Sequence, residues 1–399
     1  MQHHPPSRRR QHLALDLPQT VENPVWLHAC SVGEVASVAP LVEALLKKNL
    51  PIHLTVVTDT GFAHAQKAFG ERISIAYLPW DIPGLMRRMI THLNPRLLLL
   101  TETEFWPGML NTCRRRNIPV IGINTRISDR SFPRYQASRL LWKRWLSAVS
   151  LFLPASDTDA QRLAALGVEK SRIRSVGHLK YAVRSPDVNC DAIRRRLDST
   201  GNRPIFLAAS THEDEEAQLC RMLGGWKKHA PDLLLVIVPR HPQRFDEVAE
   251  MITVQGLQLN RWSDANSSKE TSASKKNPDI VLIDEMGVLS GLYSVADIVF
   301  IGGSLIPHGG QNPLEAAVCG RGVITGPHMH NFRDIMADLL QTGGAVSCRD
   351  AQEVNNAILR FLKHPNELRE LHKCAATLMQ NKGAVVERML ENIEPWLKS

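Results

Sequence analysis

Residues 25–56 read VWLHACSVGEVASVAPLVEALLKKNLPIHLTV, and this stretch decides the fold class. Val25–Ala29 is a short apolar run with the length of a buried strand. Val38, Leu41, Val42 and Leu45 then recur at the i, i+3, i+4, i+7 spacing of one helical face. Ile52, Leu54 and Val56 open a second strand. A strand, a helix and a strand in so short a span make a β–α–β unit, whose two strands run parallel.

The same rhythm continues outward. Leu97–Leu100, Val120–Ile123 and Leu151–Leu153 are further apolar runs separated by helix-length segments. Tyr181–Asp191 carries Pro186 and no apolar period, so the reading places a linker at 182–191. The alternation then restarts with Ile205–Ala208, Leu233–Val238, Ile280–Ile283, Ile298–Ile301, Val323–Thr325 and Ala345–Ser347. Continuous apolar runs alternating with helices describe parallel sheets covered on both faces. The expectation is an α/β protein of two Rossmann-like doubly wound domains, 25–181 and 192–399, behind a basic tail at 1–24. The length of 399 residues fits two or three domains at ~150 residues each. Ser263–Asn277, rich in Ser, Lys and Asn, reads as a mobile surface loop.

Composition excludes several classes. Hydrophobic residues at 43% and charged residues at 22% rule out wholesale disorder. The seven cysteines are scattered and form no C-x-x-C pair, so neither a zinc motif nor a disulfide framework fits, and a reducing compartment follows. No apolar run reaches the ~18 residues of a membrane span. Residues 1–24, with Arg8, Arg9 and Arg10 in a row, lack the apolar region of a signal peptide and read as a solvated tail. The net charge of +8 suits an anionic partner. Its basic residues are dispersed without interleaved aromatics, which argues against nucleic acid.

In doubly wound sheets ligands bind beyond the carboxyl ends of the strands, and polar, Gly-rich sequence follows almost every strand here. His28–Glu34 puts a carboxylate in a first helical turn, where it either complements the helix dipole or serves as a general base. Thr101–Pro107 carries Glu102 and Glu104; if the strand continues, both point to one side and raise each other's pKa. Asn124–Arg126 and Gly177–Lys180 each bring a cation to a domain edge. Pro239–Arg244 supplies two arginines suited to bidentate phosphate contact. Met286 and Gly287 follow another strand. The Gly-dense 302–310 loop leads into Asn312, Pro313, Leu314 and Glu315, which read as an N-cap, a first-turn proline and a capping-box acid. The same loop also presents amides to an anion. His212, His241, His308, His328 and His330 gather after C-terminal strands, yet no H-E-x-x-H is present and the carboxylates lack ligand spacing, so no metal is expected.

Together these pieces resemble bacterial 3-deoxy-D-manno-octulosonic acid (Kdo) transferases of lipopolysaccharide synthesis. SVGE, TETEFWP, N-x-R-x-S, GHLK, STHE, PRHP, MG, GGSLIPHGG, NPLE and GPH-x-x-NF occur in that family's order from Val25 to Trp396. The resemblance implies a glycosyltransferase-B fold whose two domains face a cleft, with a C-terminal helix that often crosses back to the first domain. It implies inverting, metal-free transfer of Kdo from CMP-Kdo to the lipid A precursor, lipid IVA, with no cofactor. Glu34 matches the family's general base, and Glu104 and Lys180 match its transition-state stabilisers. Pro239, Arg240, Met286, Gly287, Asn312, Pro313, Leu314 and Glu315 match its CMP-binding segments. His178, Val288, Gln311, Ala316 and Ala182 depart from residues usual in the family. Typical members also begin with an apolar anchor helix; with only a basic tail here, the expectation is a truncated start or peripheral association with the anionic inner-membrane surface, on its cytoplasmic face. The alternatives are a divergent transferase with another acceptor or nucleotide sugar, and a non-catalytic sugar-nucleotide-binding homologue.

Overall fold

The computed structural model describes residues 7–18, 22–266 and 277–398. The chain divides into two compact units: Met1–Ala182 with Ala384–Ser399, and Val183–Gly383.

The first unit is built on a six-stranded sheet of β1 (Val25–His28), β2 (Ile52–Val56), β3 (Ser74–Tyr77), β4 (Leu97–Thr101), β5 (Val120–Thr125) and β6 (Leu151–Pro154). The spatial order is β3-β2-β1-β4-β5-β6, and every neighbouring pair is parallel. All residues of β1, β2, β4, β5 and β6 are buried, as a sheet covered on both faces requires. Ile52, Leu54 and Val56 therefore do not alternate with a solvent face. The order reverses between β1 and β4, which makes that junction the topological switch point. Trp26, Leu98, Leu100, Phe105, Met109 and Phe152 lie in one core cluster of this sheet.

The chain's last helix, Val385–Leu397, packs in this first unit. Arg388 Nε donates to the Val176 carbonyl at 3.0 Å, and Arg96 donates to the Leu397 carbonyl at 3.0 Å. Residues 7–18 pack here too, so this part of the expected tail is not solvated. Arg8–His12 form a helical turn; Gln11, His12 and Ala14 are buried. Gln11 Oε1 accepts from the Tyr77 amide at 2.8 Å, and His12 Nδ1 lies 2.7 Å from the Leu78 carbonyl. Its polar composition conceals this because the contacts are hydrogen bonds to a sheet edge rather than apolar packing.

The second unit carries a seven-stranded, all-parallel sheet. Its strands are β7 (Ile205–Thr211), β8 (Leu234–Pro239), β9 (Leu259–Arg261), β10 (Ile280–Leu282), β11 (Ile298–Ile301), β12 (Val323–Thr325) and β13 (Ala345–Ser347). The order is β13-β12-β11-β7-β8-β10-β9, so the switch point falls between β7 and β11. Phe206, Leu235, Ile237, Phe300 and Trp226 belong to its core. A helix, Cys190–Leu197, begins inside the stretch read as linker because Asn189 caps it, accepting from the Ala192 amide at 3.0 Å. Of the surface loop expected at Ser263–Asn277, residues 267–276 lie outside the described residues; Ser263–Asn266 form a single 3-10 turn. Among the described residues no helix is long and apolar enough to cross a membrane.

Candidate functional site

In the first unit the carboxyl ends of β1 and β4 bring Glu34, Glu102 and Glu104 to the switch point. The helix Val32–Lys47 starts directly after β1, with Ser31 as its N-cap. Ser31 Oγ accepts from the Glu34 amide at 3.5 Å and its hydroxyl donates back to Glu34 Oε1 at 3.0 Å. Glu34 Oε2 accepts from the Cys30 amide at 2.9 Å and lies 2.8 Å from Thr101 Oγ1. Both oxygens of this half-buried side chain are thus held, and its carboxylate is fixed at the sheet edge.

Glu102 and Glu104 do not continue the strand. β4 stops at Thr101, and Glu102 adopts a left-handed φ of 49°, which turns the chain. The strand alternation expected for this pair therefore fails, but the crowding of carboxylates holds. Burial raises the Glu102 carboxyl above its ordinary range and the charge of Glu34 raises it further, while Arg126 and Lys180 pull it down. Glu104 is likewise raised, first by burial and then by Glu34 and Glu102, against a hydrogen bond from Trp106 Nε1 at 2.8 Å. Glu104 Oε2 sits 3.9 Å from Nε2 of the fully buried His28. Nδ1 of His28 lies 3.0 Å from the Thr55 carbonyl oxygen and 2.9 Å from the Thr55 hydroxyl. Burial lowers this imidazole to about 4, so the ring is neutral, and Nε2 is buried without a hydrogen-bond partner.

Lys180 is exposed on the 3-10 turn Leu179–Tyr181 and is electrostatically coupled to Glu102. The turn is positioned by Asn124, whose Oδ1 accepts from the Leu179 amide at 3.1 Å, and by His178, whose Nδ1 accepts from the Lys180 amide at 3.1 Å. The structure brings Glu34, Glu104 and Lys180 into one electrostatic neighbourhood, with Glu102 as its centre.

In the second unit Pro239 ends β8 and Arg240 follows it, exposed. The two arginines expected to act alike do not. Arg244 is committed to the buried Glu216 through contacts of 2.8 and 3.3 Å, leaving Arg240 as the exposed cation of the pair. Met286 is 57% exposed and Gly287 takes a left-handed φ of 90° after β10. The helix after the Gly-rich loop spans only Leu314–Val318, and Glu315 does not close a capping box. Asn312 Oδ1 accepts from the Leu314 amide at 3.1 Å, and Asn312 Nδ2 donates to Glu315 Oε1 at 3.4 Å. The capping account of Glu315 is thereby removed. Burial raises its carboxyl, offset by Asn312 and by the charge of Arg240.

Sequence reasoning missed Glu215. Fully buried, it accepts from four amides: His212 at 3.0 Å, Gly303 at 2.7 Å, and Ser304 and Leu305 at 3.0 Å each. It ties the end of β7 to the Gly-rich loop after β11. The approach is close: a Cβ on Gly302 would lie 2.4 Å from the Ser210 carbonyl oxygen, so only glycine fits. His212 packs within 4.4 Å of His308 and 5.4 Å of His241, ring centre to ring centre, and burial, then its two neighbours, lower it to about 4.

Two parallel α/β sheets with polar, glycine-rich strand ends define the glycosyltransferase-B fold. The UDP-N-acetylglucosamine 2-epimerase of Neisseria meningitidis shares it, with a TM-score of 0.58 at 11% identity over 93% of this chain and 100% of that one. Residues 6–183 match the family model for 3-deoxy-D-manno-octulosonic-acid transferase (kdotransferase). The 3-deoxy-D-manno-octulosonic acid transferase of Haemophilus influenzae is 34% identical over 384 residues, 94% of this chain and 87% of that protein. That of Bordetella pertussis is 33% identical over 390 residues, covering 95% and 89%. The chain belongs to the Kdo transferase family of glycosyltransferases.

Proposed function

We propose that this chain transfers Kdo from CMP-Kdo to the lipid A precursor, lipid IVA, in lipopolysaccharide synthesis, with inversion at the sugar. The observation that carries the proposal is Glu34: a carboxylate at the switch point of the first sheet, held by Cys30, Ser31 and Thr101. In this reading Glu34 takes the proton from an acceptor hydroxyl, whose oxygen attacks the anomeric carbon as CMP departs. Glu104 and Lys180 stabilise the charge that develops. Arg240 meets the CMP phosphate, and Pro239, Met286, Gly287, Asn312, Pro313, Leu314 and Glu315 shape the nucleotide site, with Glu315 accepting ribose hydroxyls. No cofactor or metal enters the step.

The proposal places the protein peripherally on the cytoplasmic face of the inner membrane. The exposed Trp80, Ile82, Trp106, Leu140 and Leu141 of the first unit and the net charge of +8 support contact with an anionic surface.

A transfer assay with lipid IVA and CMP-Kdo generated in situ, read by mass spectrometry, tests the reading. A mass gain of one or more Kdo units is expected. No gain with CMP-Kdo still bound would overturn the acceptor, and no binding would overturn the donor. Co-sedimentation with phosphatidylglycerol vesicles, weakening as salt rises, tests the membrane part.

A further inference from the structure

We propose that Cys30, Glu34, Glu104 and His28 form a binding site for a thiophilic divalent cation of the zinc type, and that its occupancy takes Glu34 out of proton transfer. Cys30 Sγ and one carboxylate oxygen each from Glu34 and Glu104 lie within 4.8 Å of one another. His28 Nε2 is fully buried, has no hydrogen-bond partner and stands 3.9 Å from Glu104 Oε2. Ligands of a zinc tetrahedron are roughly 3.3–3.8 Å apart, given metal–ligand distances of about 2.0–2.3 Å. Cys30, Glu34 and Glu104 stand close to that spacing, and His28 Nε2 is already 3.9 Å from Glu104 Oε2.

The surroundings match what holds metal ligands in place. A metal-bound histidine normally donates its other ring N–H to a carbonyl or carboxylate, and Nδ1 of His28 lies 3.0 Å from the Thr55 carbonyl oxygen. The oxygens of Glu34 are oriented by Cys30, Ser31 and Thr101 in the same way. A set of one sulfur, one imidazole nitrogen and two carboxylate oxygens selects zinc over magnesium or calcium, which take oxygen ligands. Its members come from β1, the turn after it, the following helix and the turn after β4, so no sequence spacing reveals them.

Binding breaks the Cys30 S–H bond. The proton goes to solvent and the sulfur's electron pair forms the metal–sulfur bond. The inhibitory consequence rests on the reading of Glu34 as base; the site itself does not.

The full chain is titrated with Zn2+ by calorimetry and with Co2+ by absorption. One equivalent is expected, with a sulfur-to-cobalt charge-transfer band. Cys30→Ser should abolish the band and weaken zinc binding at least tenfold, whereas Cys190→Ser, at an exposed thiol, should keep both. Absence of the band in the unmodified chain, or its persistence in Cys30→Ser, would overturn the site and move binding elsewhere, the His212 cluster included. Zinc should lower transfer by the unmodified chain and leave Cys30→Ser near its own zinc-free rate. A zinc-loaded chain with the cobalt signature and undiminished transfer would sink the role of Glu34 as base while the site stands.

Discussion

Thr101 Oγ1 lies 2.8 Å from Oε2 of Glu34 and 2.8 Å from the main-chain oxygen of His28, with one proton for two acceptors. It donates to Glu34 while that carboxylate is ionised. If Glu34 takes a proton as proposed, Thr101 can turn its own toward His28 and accept from Glu34. The hydroxyl therefore serves both protonation states without moving a backbone atom.

Thr101→Val tests this arrangement. A hydrogen bond to a charged group contributes about 1.5–3 kcal/mol, so transfer should slow roughly 10- to 100-fold. CMP-Kdo affinity, measured by calorimetry, should stay within about twofold if Thr101 acts on the base alone. An unchanged rate would show that the contact to Glu34 is not used.

Glu102→Gln addresses the crowded carboxylates. Glu102 and Glu104 both titrate above the ordinary range. Their contribution to folding is full below the unfolded carboxyl value and is lost as pH rises through the folded one. At neutral pH the ionised cluster costs stability, so Glu102→Gln should raise the melting temperature at pH 7 more than at pH 4. Each kcal/mol relieved is worth roughly 2–4 °C in a unit of this size. Equal shifts at both pH values would mean that the charge of Glu102 is not the cause.

Arg240→Ala should weaken CMP-Kdo binding about tenfold or more, because the proposed charge-assisted phosphate contact would be lost. Arg240 is exposed and, unlike Arg244, is not in a buried ion pair, so the melting temperature should hold. Unaltered donor affinity would remove it from the phosphate site. Arg244→Ala should do the reverse, destabilising the fold by leaving Glu216 buried and unpaired.

Deleting residues 1–16 should lower the melting temperature. It strips Gln11 from the Tyr77 amide and His12 from Leu78, and each orphaned buried group costs about 1–3 kcal/mol. A truncated chain that melts like the full one would show that these contacts add nothing.

Central strands were readable because parallel strands buried on both faces must be apolar throughout, and Leu97–Leu100 or Ile298–Ile301 admit little else. β3 and β9 escaped notice: Ser74 interrupts the apolar run around β3, whose first two residues are only half-buried, and Leu259–Arg261 is half-buried throughout with one apolar residue. The reading of Glu34 as a base came from the resemblance alone, while its place in the first helical turn after a strand was legible. Glu215 was not, because nothing in HEDEE says which acid turns inward; that depends on β7 lying beside β11. Asn312 misled because its side chain satisfies the Leu314 amide, two residues on, instead of capping a longer helix.

The placement of Val385–Leu397 in the first unit has a consequence for biosynthesis. A ribosome makes residues 183–383, a whole sheet and its helices, between the two pieces of the first unit. The second unit can therefore be complete on the nascent chain while the first still lacks the helix that covers Val176 and Arg96. A stop codon just ahead of Val385 would spare every strand and still leave the unit bearing Glu34 unfinished, so a helix translated after the second unit acts as a seal on the first.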